Sequence, residues 1–491
     1  MSLNKFNFLV PYNPWWAPDG DPFSGLPAFR RDVFDHIYAD VRTLPQMLSI
    51  TGPRRVGKST LLKQCIKQLI ADAGDAAAAQ ASRIVYLSMD DPSLSLPGFD
   101  ADAFFNEFIA ESAKLAREGR VYLFLDEIQR FPRWELYLKK YFDLNTQVRF
   151  VVSGSASAPI FKKSRESLIG RIKDFHVLPF SFPEWFFVTN AHSQDYPEGH
   201  HGLGALRDWG RDILSLTIPT IFKNLNDIPE NVLGPVLSYG AEVQQFFYEG
   251  GFPEVWSLPT ILAKQDYLYQ NQIERVIFED PLVAAEFRKP EMLRRFYLGL
   301  LVDPGRETNL ARVSKEIALD RRTIESYFPL LEATDLVWRL HKFTGSKATA
   351  KAGIFKTYLV DLAIRNAVMK LTQEQLAADD TMMGHYAENV VANHLRRWPG
   401  LVELAYYRKG NDELDFIVDV GNARVAVEVK YRNSLDEKSL HRAAVIARDM
   451  KCEGLILVTK YIPDPDWVRQ ISGRLAMPFA AVPLAAFLML F

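Results

Sequence analysis

The chain has 491 residues, too many for one hydrophobic core, and this length indicates about three domains. Hydrophobic residues make up 48% and charged residues 24%, as in ordinary globular proteins, and the net charge of −2 excludes general attraction to nucleic acid over the whole surface. Two cysteines are too few for a disulfide framework, which favours a reducing compartment.

Neither end of the chain predicts export or a membrane anchor. The first 16 residues contain no long apolar run followed by small residues, so we expect no signal peptide. The apolar residues 476–491 are shorter than the ~20 residues that a membrane span needs, and they include Pro478 and Pro483. We expect a final buried strand and short helix there, in a cytoplasmic protein.

Between Gln46 and Pro179, short apolar runs alternate with segments of helix length. Continuous apolarity, without alternation, is typical of strands covered on both faces, so this region predicts an α/β domain with a parallel sheet. The runs are residues 47–50, 84–87, 121–125, 150–152 and 175–178.

The first run leads into a phosphate-binding motif, G-x-x-x-x-G-K-[ST], at residues 52–59, and a helix follows it. Glycines let successive backbone N–H groups and the helix N-terminus surround a phosphate. Lys58 is expected to reach the β and γ oxygens of ATP, and the Ser59 hydroxyl to ligate Mg²⁺. The predicted nucleotide contacts are Gly52, Arg54, Gly57, Lys58, Ser59 and Thr60.

The third run ends in two acids, Asp126 and Glu127. Carboxyl ends of parallel strands meet at one sheet edge, so Asp126 is expected beside the phosphate loop, holding Mg²⁺, with Glu127 as the base for the attacking water. Ser155, in the polar end of the next run, is a candidate sensor of the γ-phosphate. Arg171 is either an arginine finger supplied to a neighbouring subunit of a homo-oligomer or an ordinary surface arginine.

Residues 188–215 are polar and predict a loop or small insertion. His192, His200 and His201 lie in it without cysteine or carboxylate partners at ligand spacing, so we expect a solvated loop and no metal site. The pattern is helical from about residue 216 to 300.

Residues 308–357 predict a winged helix: helices at 309–317 and 321–334 joined by a turn, then strands at 336–343 and 353–360. Such a module contacts DNA or serves as a protein-binding module or ATPase lid, and the sequence leaves these alternatives open. The residues that suit DNA contact are Arg321, Arg322, Thr323 and Ser326 of the second helix and Lys342, Lys347, Lys351 and Lys356 of the wing.

Gly421-Asn422 separates two alternating runs and predicts a tight hairpin in which paired residue numbers add to 843. Asp415 then faces Glu428, an arrangement of like charges that a divalent cation would relieve. Lys430 shares the face of Glu428 and could activate water or steady a scissile phosphate. Glu413 faces Lys430 in this register, so cross-strand ion pairing is the alternative for part of the set.

Glu388 adds a further acid. On its helix it shares a face with Val391, Ala392 and Leu395, and an acid on an apolar face needs an ionic partner or a metal ion. We favour a metal site formed by Asp415 and Glu428.

Three features in this order resemble a family of bacterial and archaeal AAA-type ATPases whose C-terminal domain is of unknown function. They are the GPRRVGKST loop, the Gly250-Gly251-Phe252-Pro253 turn and the C-terminal hairpin, supported by Tyr358-Leu359-Val360-Asp361, and the resemblance extends from about Arg30 to the end.

The C-terminal part is similar to the restriction-endonuclease fold (PD-D/ExK), which cuts DNA with Mg²⁺. That resemblance implies that Asp415 and Glu428 are metal ligands, Lys430 the catalytic lysine and Glu388 the helical acid. Glu413-Leu414-Asp415 departs from the family pattern because no proline precedes the first acid. The Gly251-Phe252-Pro253 turn is similar to the Gly-x-Pro element with which signal-transducing P-loop ATPases sense nucleotide.

These motifs predict a P-loop core with a parallel sheet, a helical lid, a winged helix and a C-terminal α/β restriction-endonuclease-like domain. The expected function is a Mg²⁺-dependent ATPase coupled to a nuclease that acts on DNA. A nucleotide switch for a protein partner, or a DNA-binding regulator with an inert C-terminal domain, remain alternatives. The expected boundaries are 1–30 (N-terminal segment), 31–187 (ATPase core), 188–300 (insertion and lid), 301–375 (winged helix) and 376–491 (nuclease-like domain).

Overall fold

The computed structural model describes most of the chain, in two compact units. The first comprises Met1–Leu178 with Ala333–Asp335, and the second Pro179–Glu332 with Leu336–Phe491. The predicted loop with His192, His200 and His201, and the wing lysines Lys347 and Lys351, lie outside the described residues. Described are residues 7–17, 20–95, 100–115, 119–144, 147–155, 168–190, 217–228, 239–279, 290–344, 354–398 and 400–490.

The first unit contains the predicted parallel sheet, five strands in the order β2-β3-β4-β1-β5. Only the last strand is displaced: the apolar run at 175–178 predicted it, but it begins at Ile172. At this edge of the sheet half-exposed side chains are tolerated, so Lys173 and Asp174 lie within the strand. The strands are β1 (Met47–Gly52), β2 (Ile84–Ser88), β3 (Val121–Asp126), β4 (Val148–Ser155) and β5 (Ile172–His176).

The N-terminal segment covers the other edge of this sheet. The Asn13 side chain accepts a hydrogen bond from the Tyr86 N–H (2.7 Å) and donates to the Tyr86 carbonyl (2.9 Å), so it acts as a neighbouring strand would. Short 3₁₀ turns span Asn7–Tyr12 and Pro14–Trp16. The α-helices of the unit are α1 (Phe34–Thr43), α2 (Lys58–Ala71), α3 (Ala77–Ala81), α4 (Ala101–Leu115) and α5 (Trp134–Asp143).

The first half of the second unit is helical. A π-helical stretch, Tyr269–Glu279, continues α10. The helices are α6 (Phe182–Asn190), α7 (Ile218–Asn226), α8 (Gly240–Glu249), α9 (Pro253–Trp256), α10 (Ile261–Leu268) and α11 (Pro290–Leu300).

The two helices and two strands predicted after residue 308 are present in that order. Asn309 caps the first helix by accepting from the N–H groups of Ala311 and Arg312. Lys356 does not fit its predicted place among the wing lysines that suit DNA contact: its side chain is only 2% exposed, and its ammonium group contacts the carboxylates of Glu388 and Glu413. The elements are α12 (Leu310–Ile317), α13 (Arg321–Ala333), β6 (Val337–His341) and β7 (Phe355–Leu359), the strands antiparallel.

The C-terminal sheet is mixed, in the order β12-β11-β10-β9-β8. The hairpin register is the predicted one, from Ala423 opposite Val420 to Val427 opposite Phe416. The predicted final strand and short buried helix are also confirmed, as β12 (Phe479–Pro483) and α19 (Leu484–Leu490). The strands are β8 (Leu401–Lys409), β9 (Asp412–Val420), β10 (Ala423–Lys430), β11 (Leu455–Thr459) and β12 (Phe479–Pro483). The helices are α14 (Leu362–Met369), α15 (Gln373–Ala377), α16 (Asp380–Leu395), α17 (Glu437–Asp449), α18 (Pro465–Leu475) and α19 (Leu484–Leu490). Among the helices described, none is both long and apolar enough to span a bilayer.

His394, near the end of α16, makes the stability of this unit depend on pH. Its Nδ1 donates to the Val390 carbonyl (2.8 Å) and its Nε2 accepts from the Phe182 N–H (3.1 Å), so the neutral ring fits and the protonated ring does not. Burial, reinforced by the charge of Arg397 and opposed by Glu184, lowers the pKa of His394 to about 3.

The folded-state pKa of His394 lies below its ordinary value, so the contribution of this residue to the free energy of unfolding is fully present above about pH 6.5. That contribution falls as the pH drops towards 3, by at most about 1.4 kcal/mol per pH unit. We expect His394→Gln to flatten this slope between about pH 7 and pH 5 in urea unfolding. His441→Gln, which removes an exposed histidine of the same unit, is the control variant. An unaltered slope in His394→Gln protein would contradict this account.

Candidate functional site

The phosphate-binding loop joins β1 to α2, as predicted. Lys58 is buried, and its Nζ donates to the carbonyl oxygens of Gly52 (3.1 Å) and Pro53 (2.8 Å), which holds the ammonium over the loop. Burial lowers the pKa of Lys58, while the nearby charges of Glu127, Asp126 and Asp335 oppose that shift. Ser59 and Thr60 lie in the first turn of α2 and are partly exposed, so their hydroxyls could reach a bound nucleotide.

The backbone at position 52 requires glycine. Its φ is +150°, and a Cβ at this position would lie 2.1 Å from the carbonyl oxygen of Val177. We expect Gly52→Ala to lower the stability of the first unit by more than about 2 kcal/mol, since rigid backbone must move. Gly20→Ala is the matched control, because Gly20 also has a positive φ (+94°) but nothing within 4 Å of its Cβ position. Thermal unfolding compares the two variants, and equal losses of stability would show that the clash does not matter.

Asp126 ends β3 and is almost fully buried. The Tyr86 hydroxyl donates to its Oδ2 (2.7 Å), and the Ser153 hydroxyl contacts its Oδ1. Neither contact was predicted, although Ser153 lies in the polar strand end that was singled out. These contacts fix the carboxylate in a position where it could hold Mg²⁺. Glu127 follows with a left-handed backbone (φ 51°), and its carboxylate contacts the Gln129 side chain.

The structure brings Ser155 to the loop but not Arg171. Ser155 is the direct strand partner of Gly52, because β4 lies between β1 and β3. Arg171 immediately precedes β5, at the amino end of the parallel strands, whereas Lys58 lies beyond their carboxyl end. Its guanidinium group forms a two-pronged ion pair with Asp143 (2.7 and 3.2 Å). Within the chain Arg171 therefore lies away from the phosphate loop.

Two residues near the loop were missed by sequence reasoning. His176 ends β5, where its Nδ1 lies 3.2 Å from the Thr51 hydroxyl and its Nε2 2.8 Å from Asp335 Oδ1. Asp335 is buried, and its negative charge is one of those that act to raise the pKa of Lys58. A lone histidine and an aspartate 159 positions later share no sequence signal, so only the fold could show this pair.

A second cluster of charged residues lies in the second unit, on the C-terminal hairpin. Asp415 and Glu428 are buried neighbours: the Asp415 N–H donates to Glu428 Oε2 (3.2 Å), and the Val429 N–H donates to Asp415 Oδ2 (2.9 Å). Burial, together with the Asp415 charge, raises the pKa of Glu428 to about 7. The predicted opposition of two carboxylates is therefore present.

Lys430 lies on the same face and forms an ion pair with Glu428 Oε1. Burial lowers the pKa of Lys430, but the charges of Glu428 and Asp415 outweigh this effect, and the pKa is raised overall. The alternative pairing of Glu413 with Lys430 is not the one observed: Glu413 Oε1 lies 2.8 Å from Lys356 Nζ.

Glu388 completes the cluster from α16, as predicted. Its Oε1 accepts from Lys356 Nζ (2.8 Å) and from the Tyr358 hydroxyl (2.6 Å), and burial raises its pKa although Lys356 opposes that shift. Glu388 thus has the ionic partner that an acid on an apolar helix face requires.

These residues line a cleft of about 1200 Å³ within the second unit. Asp415 and Glu428 lie at its floor and could hold a divalent cation together with water and a phosphate oxygen. Over the described part of the chain, no group of three or more His, Cys, Asp or Glu side chains is placed to ligate one metal. Exposed arginines also line the cleft: Arg306, Arg312, Arg321, Arg432 and Arg442.

The turn at Gly250-Gly251 and the motif Tyr358-Leu359-Val360-Asp361, both part of the family resemblance, contact each other. The Gly251 N–H donates to Asp361 Oδ2 (2.6 Å), and Asp361 Oδ1 accepts from the Ala363 N–H (2.8 Å) at the start of α14. Burial raises the pKa of Asp361 to about 6, although both N–H donors oppose this shift. A Cβ on Gly250 would lie 2.1 Å from Asp361, so the first glycine of the turn makes this contact possible.

Comparison with known proteins supports the assignment of the first unit. Residues 45–186 match the family described as AAA domain. Residues 240–375 and 383–468 match two families described as domains of unknown function, DUF8612 and DUF4143. An uncharacterized protein of Methanocaldococcus jannaschii, MJ1637, is 24% identical over 439 residues, covering 85% of this chain and 83% of that protein.

Solved structures show weaker similarity. PCH-2 of C. elegans has 14% identity and a TM-score of 0.25, and covers 62% of this chain and 67% of its own. AMPPCP-bound DnaA of Aquifex aeolicus has 14% identity and a TM-score of 0.26, and covers 64% and 92%. TM-scores this low support no functional argument. The domain match and the phosphate loop do: this chain contains an AAA-type P-loop ATPase domain.

Proposed function

We propose that this protein is a Mg²⁺-dependent ATPase whose nucleotide state controls a nuclease acting on DNA. For the ATPase, the support is the AAA domain match together with Lys58, Asp126 and Ser155 at one end of a parallel sheet. Lys58 would bind the β- and γ-phosphates, Ser59 and Asp126 would hold Mg²⁺, and Glu127 would orient the attacking water.

The observation that carries the nuclease proposal is the geometry of the hairpin. Asp415 and Glu428 each have one oxygen bound by a backbone N–H, which leaves the other directed towards a lysine at the cleft floor. A Mg²⁺ ion on these two oxygens would supply charge neutralisation at a phosphodiester. Lys430 would then lie beside the attacked phosphate, and Glu388 would hold the charged cluster in place.

DNA is the proposed substrate because five exposed arginines, against two exposed aspartates (Asp380 and Asp412), line the cleft above its acidic floor. Arg306, Arg312 and Arg321 come from the proposed winged helix, and Arg432 and Arg442 from the proposed nuclease-like domain. Guanidinium groups bind phosphate oxygens with two hydrogen bonds, so a cleft lined in this way suits a polyphosphate backbone. Both modules would thus contact the same DNA.

We further propose that Arg171 acts on the triphosphate of a neighbouring subunit, since it lies away from Lys58 of its own. In that case an inactive Lys58→Ala protein mixed with an inactive Arg171→Ala protein should recover part of the ATPase activity. No recovery in the mixture, with each variant folded, would assign Arg171 to its ion pair with Asp143 alone.

One observation favours a second candidate, a nucleotide switch without nuclease activity. Lys356 and Lys430 already neutralise part of the acidic cluster, as a purely structural ion-pair network would. The test is incubation of purified full-length protein with supercoiled and linear DNA and with RNA, in Mg²⁺ or Mn²⁺, with and without ATP. Nicking or cutting supports the nuclease, and intact nucleic acid under all these conditions would support the switch.

A further inference from the structure

Lys356 lies on β7, outside the hairpin, yet it occupies the centre of the acidic cluster. Its Nζ is 2.8 Å from Glu388 Oε1, 2.8 Å from Glu413 Oε1 and 3.8 Å from Asp415 Oδ1. The side chain is 2% exposed, so its ammonium group has exchanged water for carboxylate oxygens. These partners offset the free-energy cost of burying an ammonium group.

The two lysines of the cleft occupy equivalent positions on the two proposed metal ligands. Asp415 Oδ2 accepts from a backbone N–H and its Oδ1 faces Lys356; Glu428 Oε2 accepts from a backbone N–H and its Oε1 faces Lys430. The oxygens that face the lysines are the ones left for a cation. Each proposed ligand is therefore paired with its own ammonium group.

Charge in the cluster leaves room for one divalent cation. Arg408 also belongs to the count of charges, since it lies 3.9 Å from Glu413 and 3.5 Å from Glu307. Five carboxylates (Glu307, Glu388, Glu413, Asp415 and Glu428) then outnumber three cationic side chains (Lys356, Arg408 and Lys430) by two. The contact of Lys356 with Asp415 is its longest at 3.8 Å, and hence the easiest for an incoming cation to replace. Its contacts with Glu388 and Glu413 can persist when Asp415 turns to a metal ion.

We propose that Lys356 is a second lysine of this site: a built-in counter-ion that holds Asp415, Glu388 and Glu413 in place without metal and competes with Mg²⁺ for Asp415. It is a positioning residue, supplied by the segment that matches DUF8612 to acids of the segment that matches DUF4143. The proposal rests on the metal site of the proposed function. It makes the cleft a composite of two modules.

The test is Mn²⁺ binding to full-length protein without DNA, measured by calorimetry and by electron paramagnetic resonance. Lys356→Met should bind Mn²⁺ at least about tenfold more tightly than the parent protein, because a competing positive charge is removed from the carboxylates. Mn²⁺ should also restore thermal stability that this variant loses. Lys356→Arg keeps the charge and should bind like the parent, and Lys315→Met removes an exposed lysine of the same module as a control.

A second variant guards against misfolding of Lys356→Met. Glu413→Gln removes one carboxylate partner of Lys356, so the attraction between Lys356 and Asp415 should increase. Mn²⁺ binding should then weaken by about threefold or more relative to the control Asp412→Asn, which removes the equal charge of an exposed neighbour. If the parent binds Mn²⁺ and neither Lys356→Met nor Glu413→Gln changes its affinity, Lys356 is only structural. If neither the parent nor any Lys356 variant binds Mn²⁺, the metal site itself is wrong.

Discussion

Lys58→Ala protein is expected to hydrolyse ATP at least about 100-fold more slowly than the parent and to bind it much more weakly. The buried ammonium group of Lys58 is fixed over the phosphate loop by the Gly52 and Pro53 carbonyls, and alanine cannot replace this charge. Phosphate release measures hydrolysis, and a fluorescent nucleotide analogue measures binding.

Lys67→Ala provides the control. Lys67 is an exposed lysine on the same helix, so its loss tests the general effect of removing one charge from α2. It should leave hydrolysis within about twofold of the parent. Parent-like hydrolysis by Lys58→Ala protein would refute the assignment of this loop and, with it, the proposed control of the cleft by nucleotide.

Asp415→Asn and Lys430→Met should each reduce DNA cleavage by at least about 1000-fold while ATP hydrolysis without DNA stays near the parent rate. Asn keeps the size of Asp415 and one acceptor oxygen but loses the charge that a cation requires. Met keeps the length of Lys430 and loses the ammonium beside the phosphate. Cleavage is measured on plasmid DNA, and ATP hydrolysis in the same preparations.

Asp419→Asn is the matched control for the hairpin. Asp419 lies on the same strand four residues on, where it pairs with Arg424 (2.6 Å), so its loss changes the local charge equally without touching the cleft. Cleavage should persist in this variant. Cleavage that survives both Asp415→Asn and Lys430→Met would assign any nuclease activity to another part of the chain or to a contaminant.

Local sequence patterns were sufficient for much of the ATPase unit. A strand buried on both faces must be apolar throughout, so four of the five strands were predicted close to their observed positions. Edge strand β5 was displaced because its half-exposed residues include Lys173 and Asp174. The hairpin register was predictable for a different reason: a two-residue turn leaves only one way of pairing the strands beside it.

Contacts between residues distant in the chain were not predictable. Lys356 has the sequence features of an exposed wing lysine, and only the packing of β7 against the hairpin places it among carboxylates. The same holds for Tyr86 on Asp126 and for Asp335 beside His176, since no spacing rule connects their positions. The alternative of a Glu413–Lys430 ion pair is not observed, because the ammonium group nearer to Glu413 is that of Lys356, on another strand.

The sequence by itself determined the chemistry available to this protein: a phosphate loop before a helix, two acids at a strand end, and two carboxylates with a lysine on one hairpin. These follow from short-range rules of turn geometry and apolar periodicity. The tertiary structure alone decided which charges neutralise one another, because a buried charge takes its partner from whatever the fold brings within about 4 Å. That is why Lys356, and not Lys430, is the ammonium that Glu413 contacts.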